Sequence, residues 1–575
     1  MSDGHEPRPR HARGDRHRPP RGRLDRDALA RRLPAVVVLV AAVAGALVAD
    51  ATRAPGRREG AMPGGPAATV LPMPVSPPAG HDSSTWYCAA GTAERGGSAD
   101  HTVSIQNPTD GDLAAAVTVV GGGVMAAARP TPAVRPVVEA VDLPARSTTR
   151  LRLGDLVEAP LAAAVVEVDG GDVVVEHRVA GRHGDDVGPC SPAAAGEWHL
   201  AWGSTGRDAR EVVVLLNPFP TGATVDARFA TGEGGREPVR FQGVPVPPHS
   251  VVGLDVGDAV AAADQVSATV RARSGRIVVE RLVELDGSFG LAGLDVELAS
   301  PTAGTAWAFA EGGASSPGLG PPDVATGRRA PSGGPGGGGD RQARPDPRDD
   351  PDATVASERI VIYNPGDRRA EVDVELRPVP ADASPPTPFR LVVGPGRFEV
   401  VDEGAQARVV PGVPHATVVR STNGVPVVAE RVTADHGPEV GAGRRRSEVT
   451  AALGARLAAP TWRVPGLAAA SERHLAVDVV VLNPDPRAAV AVRLVPAAGG
   501  EAPAGAVPAG SRVALSPATA LGGGSGLVVE ADGPVVVERV LREEDGRRVA
   551  AAPAVPAHRG TVGLPGLLAP GGPPG

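Results

Sequence analysis

The sequence predicts an all-β protein in which four tandem Ig-like antiparallel β-sandwich repeats follow an N-terminal transmembrane helix. Three observations support this prediction. Four of the five asparagines in the chain stand directly before proline, and each of these pairs ends a short apolar run. Between the pairs, valine alternates with polar residues or alanine, which is typical of half-buried antiparallel strands. Turn-forming residues separate these runs at short intervals, as they do in β-sandwiches.

The first repeated position is the asparagine before proline. Proline has no N–H for the next ladder bond, and it pushes the preceding residue out of the helical region, so the strand is expected to end there. The asparagine side chain can bond the backbone two residues further on, which closes the turn locally. The four residues are Asn107, Asn217, Asn364 and Asn483.

The second repeated position is a glutamate in a valine-rich run, followed by arginine in three copies and by histidine in the first. The four residues are Glu176, Glu280, Glu430 and Glu538. A turn pair such as Ser274-Gly275 or Asn423-Gly424 precedes each run, and another β-rich run precedes the turn, so each repeat is expected to end in a β-hairpin. The glutamate shares its strand face with apolar residues and therefore needs a partner. We favour a structural ion pair or a carboxylate bound to loop backbone; a carbohydrate- or metal-binding carboxylate is the alternative.

A tryptophan opens each repeat. The four residues are Trp86, Trp202 (with Trp198 close by), Trp307 and Trp462. A large aromatic side chain at the start of a strand is expected to lie in a core or at a domain junction. The alternative is a platform on which a ligand stacks.

The repeats and the composition divide the chain into segments. Three segments come before the sandwiches: a disordered Arg-rich cytoplasmic tail at 1–32, a transmembrane signal anchor at 33–50 and a Pro/Gly linker at 51–82. The sandwiches are expected at 83–192, 193–300, 301–457 and 458–558. A disordered insertion rich in glycine and proline is expected within the third sandwich, at 311–356, and a disordered tail at 559–575.

The apolar segment predicts where the β-domains are located. It follows Arg31-Arg32 without a charge and reaches the lower length limit of a membrane-spanning helix. The arginines before it place the N-terminus in the cytoplasm and the β-domains outside the cytoplasmic membrane. Because Ala49-Asp50-Ala51 resembles a cleavage site, secretion after cleavage near Ala51 stays open. The basic tail is explained as a topology signal, so no nucleic-acid partner is expected.

The chain has two cysteines, Cys88 and Cys190, at the two ends of the first predicted sandwich. In an exported chain this placement predicts a disulfide. Zinc binding together with His177, His183 or His199 is the alternative, although the spacing matches no standard zinc site.

Sequence motifs that carry catalysis are missing. We find no G-x-S-x-G nucleophile elbow, no H-E-x-x-H or C-x-x-C pattern, and no phosphate-binding loop, which a chain without lysine could not complete. The sequence therefore predicts no enzyme activity, no catalytic residue, no cofactor and no metal site.

Three strings of the first repeat resemble an uncharacterised actinobacterial family, domain of unknown function 5719. They are Thr85-Trp86-Tyr87-Cys88-Ala89-Ala90-Gly91, Ile105-Gln106-Asn107-Pro108 and Gly188-Pro189-Cys190. Trp202-Gly203-Ser204-Thr205 and Leu216-Asn217-Pro218-Phe219 are similar to it too. The resemblance covers roughly 83–556 and implies a secreted or membrane-anchored envelope protein, but no activity. The alanine-rich loops and the long insertion depart from the family's pattern.

The expected function is that of a non-enzymatic, extracytoplasmic protein of the cell envelope, a scaffold or binding module that could work beside glycan-assembly machinery. An envelope protein is the expected partner, besides the cytoplasmic membrane that holds the N-terminal helix. A cell-wall polysaccharide is the alternative ligand. A glycan-processing hydrolase is the third interpretation; it would need two carboxylates that face one cleft at a separation of about 5–10 Å.

Overall fold

The computed structural model describes residues 71–125, 134–288, 290–313, 355–379, 385–439, 445–465, 474–497, 503–517 and 526–568. Thr69–Gly575 form one compact unit, and its described elements are almost all strands. The predicted tail at 1–32, the predicted anchor at 33–50 and most of the insertion at 311–356 lie outside the described residues. Within the described part, no helix is long and apolar enough to cross a membrane.

The strands fall into four consecutive groups, which we call units 1 to 4. Unit 1 contains β1 (Ser84–Cys88), β2 (Asp100–Asn107), β3 (Leu113–Val124), β4 (Val137–Leu143), β5 (Ser147–Arg152), β6 (Leu161–Val168), β7 (Val174–Ala180) and β8 (Asp185–Pro189). Unit 2 contains β9 (Glu197–Leu200), β10 (Ala209–Asn217), β11 (Ala223–Thr231), β12 (Gly234–Arg236), β13 (Val244–Val246), β14 (Ser250–Asp255), β15 (Val266–Ser274), β16 (Val278–Asp286) and β17 (Ala292–Leu298). Short 3-10 helices occur at Leu153–Asp155, Val239–Phe241 and Val256–Asp258.

Units 3 and 4 repeat this series of strands. Unit 3 contains β18 (Ala306–Phe309), β19 (Val355–Asn364), β20 (Ala370–Pro378), β21 (Phe389–Val393), β22 (Arg397–Asp402), β23 (His415–Ser421), β24 (Val428–Glu439) and β25 (Arg445–Leu453). Unit 4 contains β26 (Leu457–Val464), β27 (Ala476–Leu482), β28 (Val490–Pro496), β29 (Ala504–Val507), β30 (Arg512–Leu515), β31 (Leu527–Arg542), β32 (Arg548–Pro553), β33 (Val555–Pro556) and β34 (Val562–Gly563), followed by a short helix α1 (Leu564–Leu568).

Each unit has two antiparallel sheets with the same strand order. In unit 1 the sheets are β1-β6-β3-β4 and β5-β2-β7-β8, and in unit 3 they are β18-β23-β20-β21 and β22-β19-β24-β25. Unit 2 follows the same order, with β12 and β13 sharing the outer edge. In unit 4, β31 is long enough to pair in both sheets. The chain is therefore all-β and sandwich-like, as the alternating valines predicted.

Four buried apolar clusters are each centred on one unit, extend into neighbouring units and consist mainly of valine, alanine and leucine. Burial of these side chains stabilises each unit by about 25 cal/mol per Å² of apolar surface. One parallel contact joins two units directly, because β14 of unit 2 pairs with the end of β3 of unit 1. A Cβ atom on Gly122 would lie 1.9 Å from the Val251 carbonyl oxygen, so only glycine permits this approach.

The predicted terminal hairpin is wrong. The strand before the turn and the strand after it lie in opposite sheets; β15 pairs with β11 and β9, whereas β16 pairs with β10 and β17. The turn pair is real, since Gly275 and Gly424 both have φ near +75°, but here it carries the chain across the sandwich. A turn sequence indicates only that the chain changes direction. Which sheet the next strand joins depends on its contacts with strands far away in the sequence. The hairpins that do form join the glutamate strand to the strand after it, as in β16–β17.

The four units contact one another in a closed cycle. The last strands of the sheets, β8, β17, β25 and β32, lie against each other in that order, and β32 returns to β8. Residues from the segment predicted as a linker complete the cycle: the Ser76 N–H donates to the Pro556 carbonyl of unit 4 at 2.9 Å, and the Asp172 N–H of unit 1 donates to the Pro77 carbonyl at 2.9 Å. The cycle places the repeated glutamates at the junctions between units.

Candidate functional site

The four asparagines occupy one structural position. Each is fully buried at the end of a strand, and its Oδ1 accepts the N–H of the residue two positions on, at 3.0–3.1 Å. Each Nδ2 donates to backbone carbonyls across the turn; Asn217, for example, reaches those of Thr221, Val246 and Pro247. These hydrogen bonds satisfy the polar atoms of each asparagine side chain. Asn107, Asn217, Asn364 and Asn483 therefore fix turns and do not face a ligand.

The tryptophans at the start of the units lie in the core. The indole N–H groups of Trp307 and Trp462 donate at 2.9 Å to the carbonyl of the residue three positions before the repeated glutamate, and Trp86 is equally buried. In unit 2 the residue that makes this bond is Trp198, which donates to Ile277 at 2.9 Å. The assignment of Trp202 to this position is therefore wrong. Trp202 stands four residues later and lies under the guanidinium of Arg281, whose Cζ is 4.8 Å from the ring centroid.

The predicted disulfide between Cys88 and Cys190 is confirmed. It joins the end of β1, in one sheet of unit 1, to the residue after β8, in the other sheet. The bond closes a loop with a sequence separation of 102 residues. Such a bond is expected to stabilise the fold by about 2–4 kcal/mol, the typical range for a disulfide.

The junction between units 2 and 3 shows what the repeated glutamate does. The Glu430 carboxylate accepts the Ala201 N–H at 2.6 Å and Arg281 Nη1 at 2.7 Å. Arg281 also donates to Asp295 at 2.7 Å and to the Trp202 carbonyl. Burial raises the pKa of Glu430, and the Arg281 charge opposes that effect. A glutamate from one unit thus binds an arginine and a backbone N–H of the preceding unit.

The junction between units 3 and 4 repeats this arrangement. Glu538 accepts the N–H groups of Ala310 and Glu311, both at 3.0 Å, and Arg431 Nη1 at 2.9 Å. Arg431 also donates to the Glu311 carbonyl. The Glu311 side chain binds Arg512 and Arg542 of unit 4. Burial raises the pKa of Glu311, but the charges of Arg512, Arg548 and Arg542 outweigh burial and lower it to about 2.

The junction between units 1 and 2 keeps the glutamate and changes its partner. Glu280 accepts the N–H groups of Ala89 and Ala90 at 2.9 and 2.6 Å. The arginine position holds His177, whose Nε2 lies 3.5 Å from Glu280 and whose Nδ1 is hydrogen-bonded to His101 at 2.9 Å. Burial raises the pKa of Glu280 to about 8. Burial lowers the pKa of both histidines, that of His101 to about 4.

The junction between units 4 and 1 closes the cycle, with fewer hydrogen bonds from backbone N–H groups to the repeated glutamate. Arg539 Nη1 donates to Glu176 at 2.7 Å and to the Pro465 carbonyl. Pro465 stands where the other units offer an N–H, so this junction lacks that donor. A second ion pair between Arg463 and Asp172, at 2.5 Å, and the residues around Ser76 supply the remaining contacts.

Carboxylates on the inner strands also bind the backbone of the next unit. Asp186 accepts the Val296 N–H at 2.8 Å, and Asp295 accepts the Ala451 N–H at 2.6 Å. Both are buried, and burial raises the pKa of both. Both lie opposite the residue three positions after the repeated glutamate. Units 3 and 4 have Thr450 and Ala550 at this position, so a search for features shared by all four repeats missed the two aspartates.

A separate group of polar side chains is buried in unit 3. Glu358, Glu403 and His415 bring their side-chain oxygen and nitrogen atoms within 4.8 Å of one another. Burial lowers the pKa of His415, but the Glu403 carboxylate outweighs burial and raises it to about 9. No sequence motif links the three residues, because His415 and Glu403 lie 12 residues apart and Glu358 belongs to an earlier strand.

A cavity of about 60 Å³ lies between units 2 and 3, where Trp202, Asp208 and Arg359 contribute to its wall. This volume holds a few water molecules, whereas ligand pockets usually measure about 300–1,000 Å³. The cavity is therefore too small for a sugar residue.

Part of the chain matches a described family. Residues 183–307 match the model of the Family of unknown function (DUF5719). The matched section runs from just before β8 through all of unit 2 to Trp307 in β18. It therefore covers unit 2 and the adjoining ends of units 1 and 3. It is narrower than the range 83–556 over which the sequence resembled that family. The family description assigns no activity.

No curated protein matches the chain. Three solved structures have limited similarity to it. The Anabaena sensory rhodopsin transducer is 23% identical over 23% of this chain and 88% of its own, with a TM-score of 0.15. Thermotoga maritima 1070 is 16% identical over 27% of this chain and 95% of its own, with a TM-score of 0.17. A tetra-tandem repeat from the extending region of a large adhesion protein is 12% identical over 81% of this chain and 96% of its own, with a TM-score of 0.09. At these TM-scores none of the three supports an argument about fold or function.

Proposed function

We propose that this chain is a non-enzymatic, extracytoplasmic protein of the cell envelope that acts as a scaffold or binding module for another envelope protein. The observation that carries the proposal is the placement of the four repeated glutamates, all of which are buried at junctions between units. Their charges are used to hold one unit against the next. The recurring polar chemistry of the chain therefore serves assembly and leaves no repeated carboxylate free for a substrate.

In this proposal each unit is an Ig-like sandwich, and the segment at 33–50 either anchors the cycle outside the cytoplasmic membrane or is removed near Ala51. The disulfide between Cys88 and Cys190 supports an extracytoplasmic location, because such bonds persist mainly in oxidising compartments. Glycan-assembly machinery is the setting that we propose for this partner.

The outer edges of the units favour a protein partner. Val138 on β4 and Val392 on β21 are 64% and 52% exposed. Among the described strands, β4 pairs only with β3 and β21 pairs only with β20. An edge strand with free backbone groups and exposed apolar side chains can add a strand from another protein. The polysaccharide alternative lacks such support, because all five tryptophans are buried and none offers a stacking surface.

Site-specific photo-crosslinking in the native cell tests the proposal. A benzophenone amino acid replaces Val138 or Val392 in the full chain, and Glu94, an exposed position in the loop after β1, at the end of the sheet opposite β4, serves as the control. We expect the two edge positions to trap the same envelope protein and the control to trap none. Absence of a crosslink from both edges, together with hydrolysis of a cell-wall glycan by the purified chain, would overturn the proposal.

Labelling of intact cells tests the location independently. The two native cysteines are joined, so a Glu237→Cys variant carries one free thiol at an exposed position. A membrane-impermeant maleimide is expected to label this variant in intact cells as fully as in lysed cells. Labelling only after lysis would show that the β-domains are inside the cell.

A further inference from the structure

In the buried group Glu358, Glu403 and His415, the last two differ from the equivalent positions of units 1 and 2, whereas Glu358 corresponds to Glu211, a buried glutamate of unit 2. Glu403 directly follows β22, as Leu153 follows β5 and Val256 follows β14. His415 is the first residue of β23, whose counterparts β6 and β15 begin with Leu161 and Val266. Those four residues are buried and apolar. The fold therefore does not require charged groups at the positions of Glu403 and His415, and their presence in unit 3 needs a reason of its own.

The three side chains come from both sheets of the unit. Glu358 lies on β19, and the Glu403 N–H donates to the Glu358 carbonyl oxygen at 3.0 Å, so these two residues are neighbours in one sheet. His415 belongs to the opposite sheet. Its Nε2 lies 2.6 Å from Glu403 Oε2 and 4.0 Å from Glu358 Oε1. The two carboxylates and the imidazole thus face one another across the sandwich.

One polar atom in this group has no hydrogen-bond donor among the described residues. Glu358 is fully buried; its Oε2 accepts the Gly313 N–H at 2.8 Å, but its Oε1 has no hydrogen-bond partner. A single imidazole N–H at Nε2 can satisfy Glu403 but not both carboxylates. Leaving a buried carboxylate oxygen without a donor costs about 1–3 kcal/mol or more.

The nearest arginines do not supply the missing donor. Arg431 donates to Glu538 and to the Glu311 carbonyl. Arg548 has its carboxylate contacts with Glu311 and Asp435, each at 3.8 Å. Neither guanidinium group makes a hydrogen bond to Glu358, although Nε and Nη1 of Arg548 are themselves buried without a hydrogen-bond partner among the described residues.

The histidine is oriented as a ligand. Its Nδ1 lies 3.1 Å from the Val413 carbonyl, which accepts the proton at that nitrogen and leaves Nε2 directed at the two carboxylates. Metal-binding histidines use the second ring nitrogen in this way. Space beside the ring is kept by Gly312, where a Cβ would lie 2.9 Å from His415 Nε2.

We propose that Glu358, Glu403 and His415 bind a divalent transition-metal ion, with Zn²⁺ the expected ion, which joins the two sheets of unit 3. One imidazole nitrogen and two carboxylate oxygens form a ligand set that suits zinc. Bonds of about 2.0–2.2 Å in a tetrahedral arrangement separate ligand atoms by about 3.4 Å. The separations from His415 Nε2, 2.6 and 4.0 Å, lie on either side of this value, and all ligand atoms lie within 4.8 Å of one another, so side-chain movements of about 1.5 Å or less would form the site. Thr417, whose Oγ1 is 3.4 Å from Glu403 Oε1, supports the carboxylate from behind.

Metal titration of the full chain tests the proposal. After treatment with a chelator and removal of the chelator, we expect one equivalent of Zn²⁺ to bind and to raise the Tm. Co²⁺ in its place is expected to give the visible absorption of a tetrahedral site. Failure of the unaltered chain to bind either ion would overturn the proposal.

Two variants locate the site. Glu358→Gln is designed to fold, since its amide oxygen can still accept the Gly313 N–H and its amide nitrogen can donate to a neighbouring carboxylate. It should keep or raise the Tm without metal and lose at least tenfold in zinc affinity, together with the zinc-induced rise in Tm. His199→Asn is the control, because His199 is a buried histidine remote from the group, beside Thr269. Unchanged zinc binding in Glu358→Gln, or equal loss in both variants, would overturn the proposal.

Discussion

The junction between units 1 and 2 and the junction between units 2 and 3 use the same glutamate position with different partners. Glu430 lies against the guanidinium of Arg281, whereas Glu280 lies against His177, whose own pKa is lowered by burial. Burial raises the pKa of Glu280 to about 8, so at neutral pH it is mainly a neutral acid that accepts two backbone N–H groups. The comparison teaches that one repeated residue can form a charged contact or a neutral one, according to the residue that faces it.

The two junctions also differ in what reinforces them. Arg281 is fixed by a second carboxylate, Asp295, and by a backbone carbonyl. Unit 1 instead has the disulfide, and Cys88 directly precedes Ala89 and Ala90, the two residues that bind Glu280. A covalent bond thus fixes the backbone donors where the ion pair is missing.

The largest expected effect comes from a substitution that breaks the charged junction between units 2 and 3. Arg281→Met leaves Glu430 and Asp295 buried without their cation, and the free energy of unfolding should fall by about 3–5 kcal/mol. His177→Met at the other junction leaves only a neutral hydrogen bond unmade and should cost about 1–2 kcal/mol. Urea unfolding of both variants measures the difference. Arg273→Met, which removes an exposed ion pair with Asp226, is the control and should unfold like the unaltered chain. Equal losses at positions 281 and 177 would contradict the distinction between the junctions.

The next effect concerns the disulfide. Replacing Cys88 and Cys190 together by serine should lower the free energy of unfolding by about 2–4 kcal/mol, because the unfolded chain is no longer closed into a long loop. Thermal unfolding measures the loss, and a reductant should produce the same shift in the unaltered chain. Thiol labelling of the denatured, unreduced protein should remain blank; labelling of two thiols per chain would contradict the bond.

A smaller effect is the pH dependence of stability that Glu280 causes. Folded Glu280 keeps its proton up to about pH 8, whereas an unfolded glutamic acid loses it near pH 4.3. Its contribution to stability is therefore fully present below about pH 4.3 and is lost as the pH rises through 8. In Glu280→Gln the amide cannot ionise, so between pH 6.5 and 9 this variant should lose about 2 kcal/mol less than the unaltered chain. Melting curves across this range test the prediction, and parallel curves for the two proteins would contradict it.

The smallest expected effect is a difference in the free energy of unfolding between substitutions of the two tryptophans of unit 2. Trp198→Phe removes the donor to the Ile277 carbonyl and should cost about 1 kcal/mol more than Trp202→Phe, which keeps a ring beneath Arg281. Urea unfolding compares the two. A larger loss for Trp202→Phe would show that the contact with Arg281 matters more than the buried indole bond.

Particular residues show how far the sequence could predict this fold. The asparagines before proline marked strand ends and bonded the backbone two residues on, as predicted, because both effects depend only on local chain geometry. The choice of Trp202 over Trp198 failed because the sequence shows two tryptophans four residues apart. Only the folded structure shows that Trp198 donates to the Ile277 carbonyl and that Trp202 lies under Arg281.

The candidate sites were harder to predict from the sequence than the fold. Burial of the repeated glutamate was expected from its apolar neighbours, but its partners come from another unit; Glu430 and Arg281 are 149 residues apart. The group around His415 had no motif, because its members meet only when two sheets pack face to face.

The sequence by itself determined the strands, their ends, the fourfold repetition and the disulfide partners, since alternation, turn chemistry and a single cysteine pair are local or exclusive features. The tertiary structure alone decided which sheet receives each strand, how the four units close into a cycle and what each buried charge binds. Those outcomes depend on the energy of contacts between residues far apart in the chain, and a buried carboxylate accepts whichever donor the packing brings within about 3 Å.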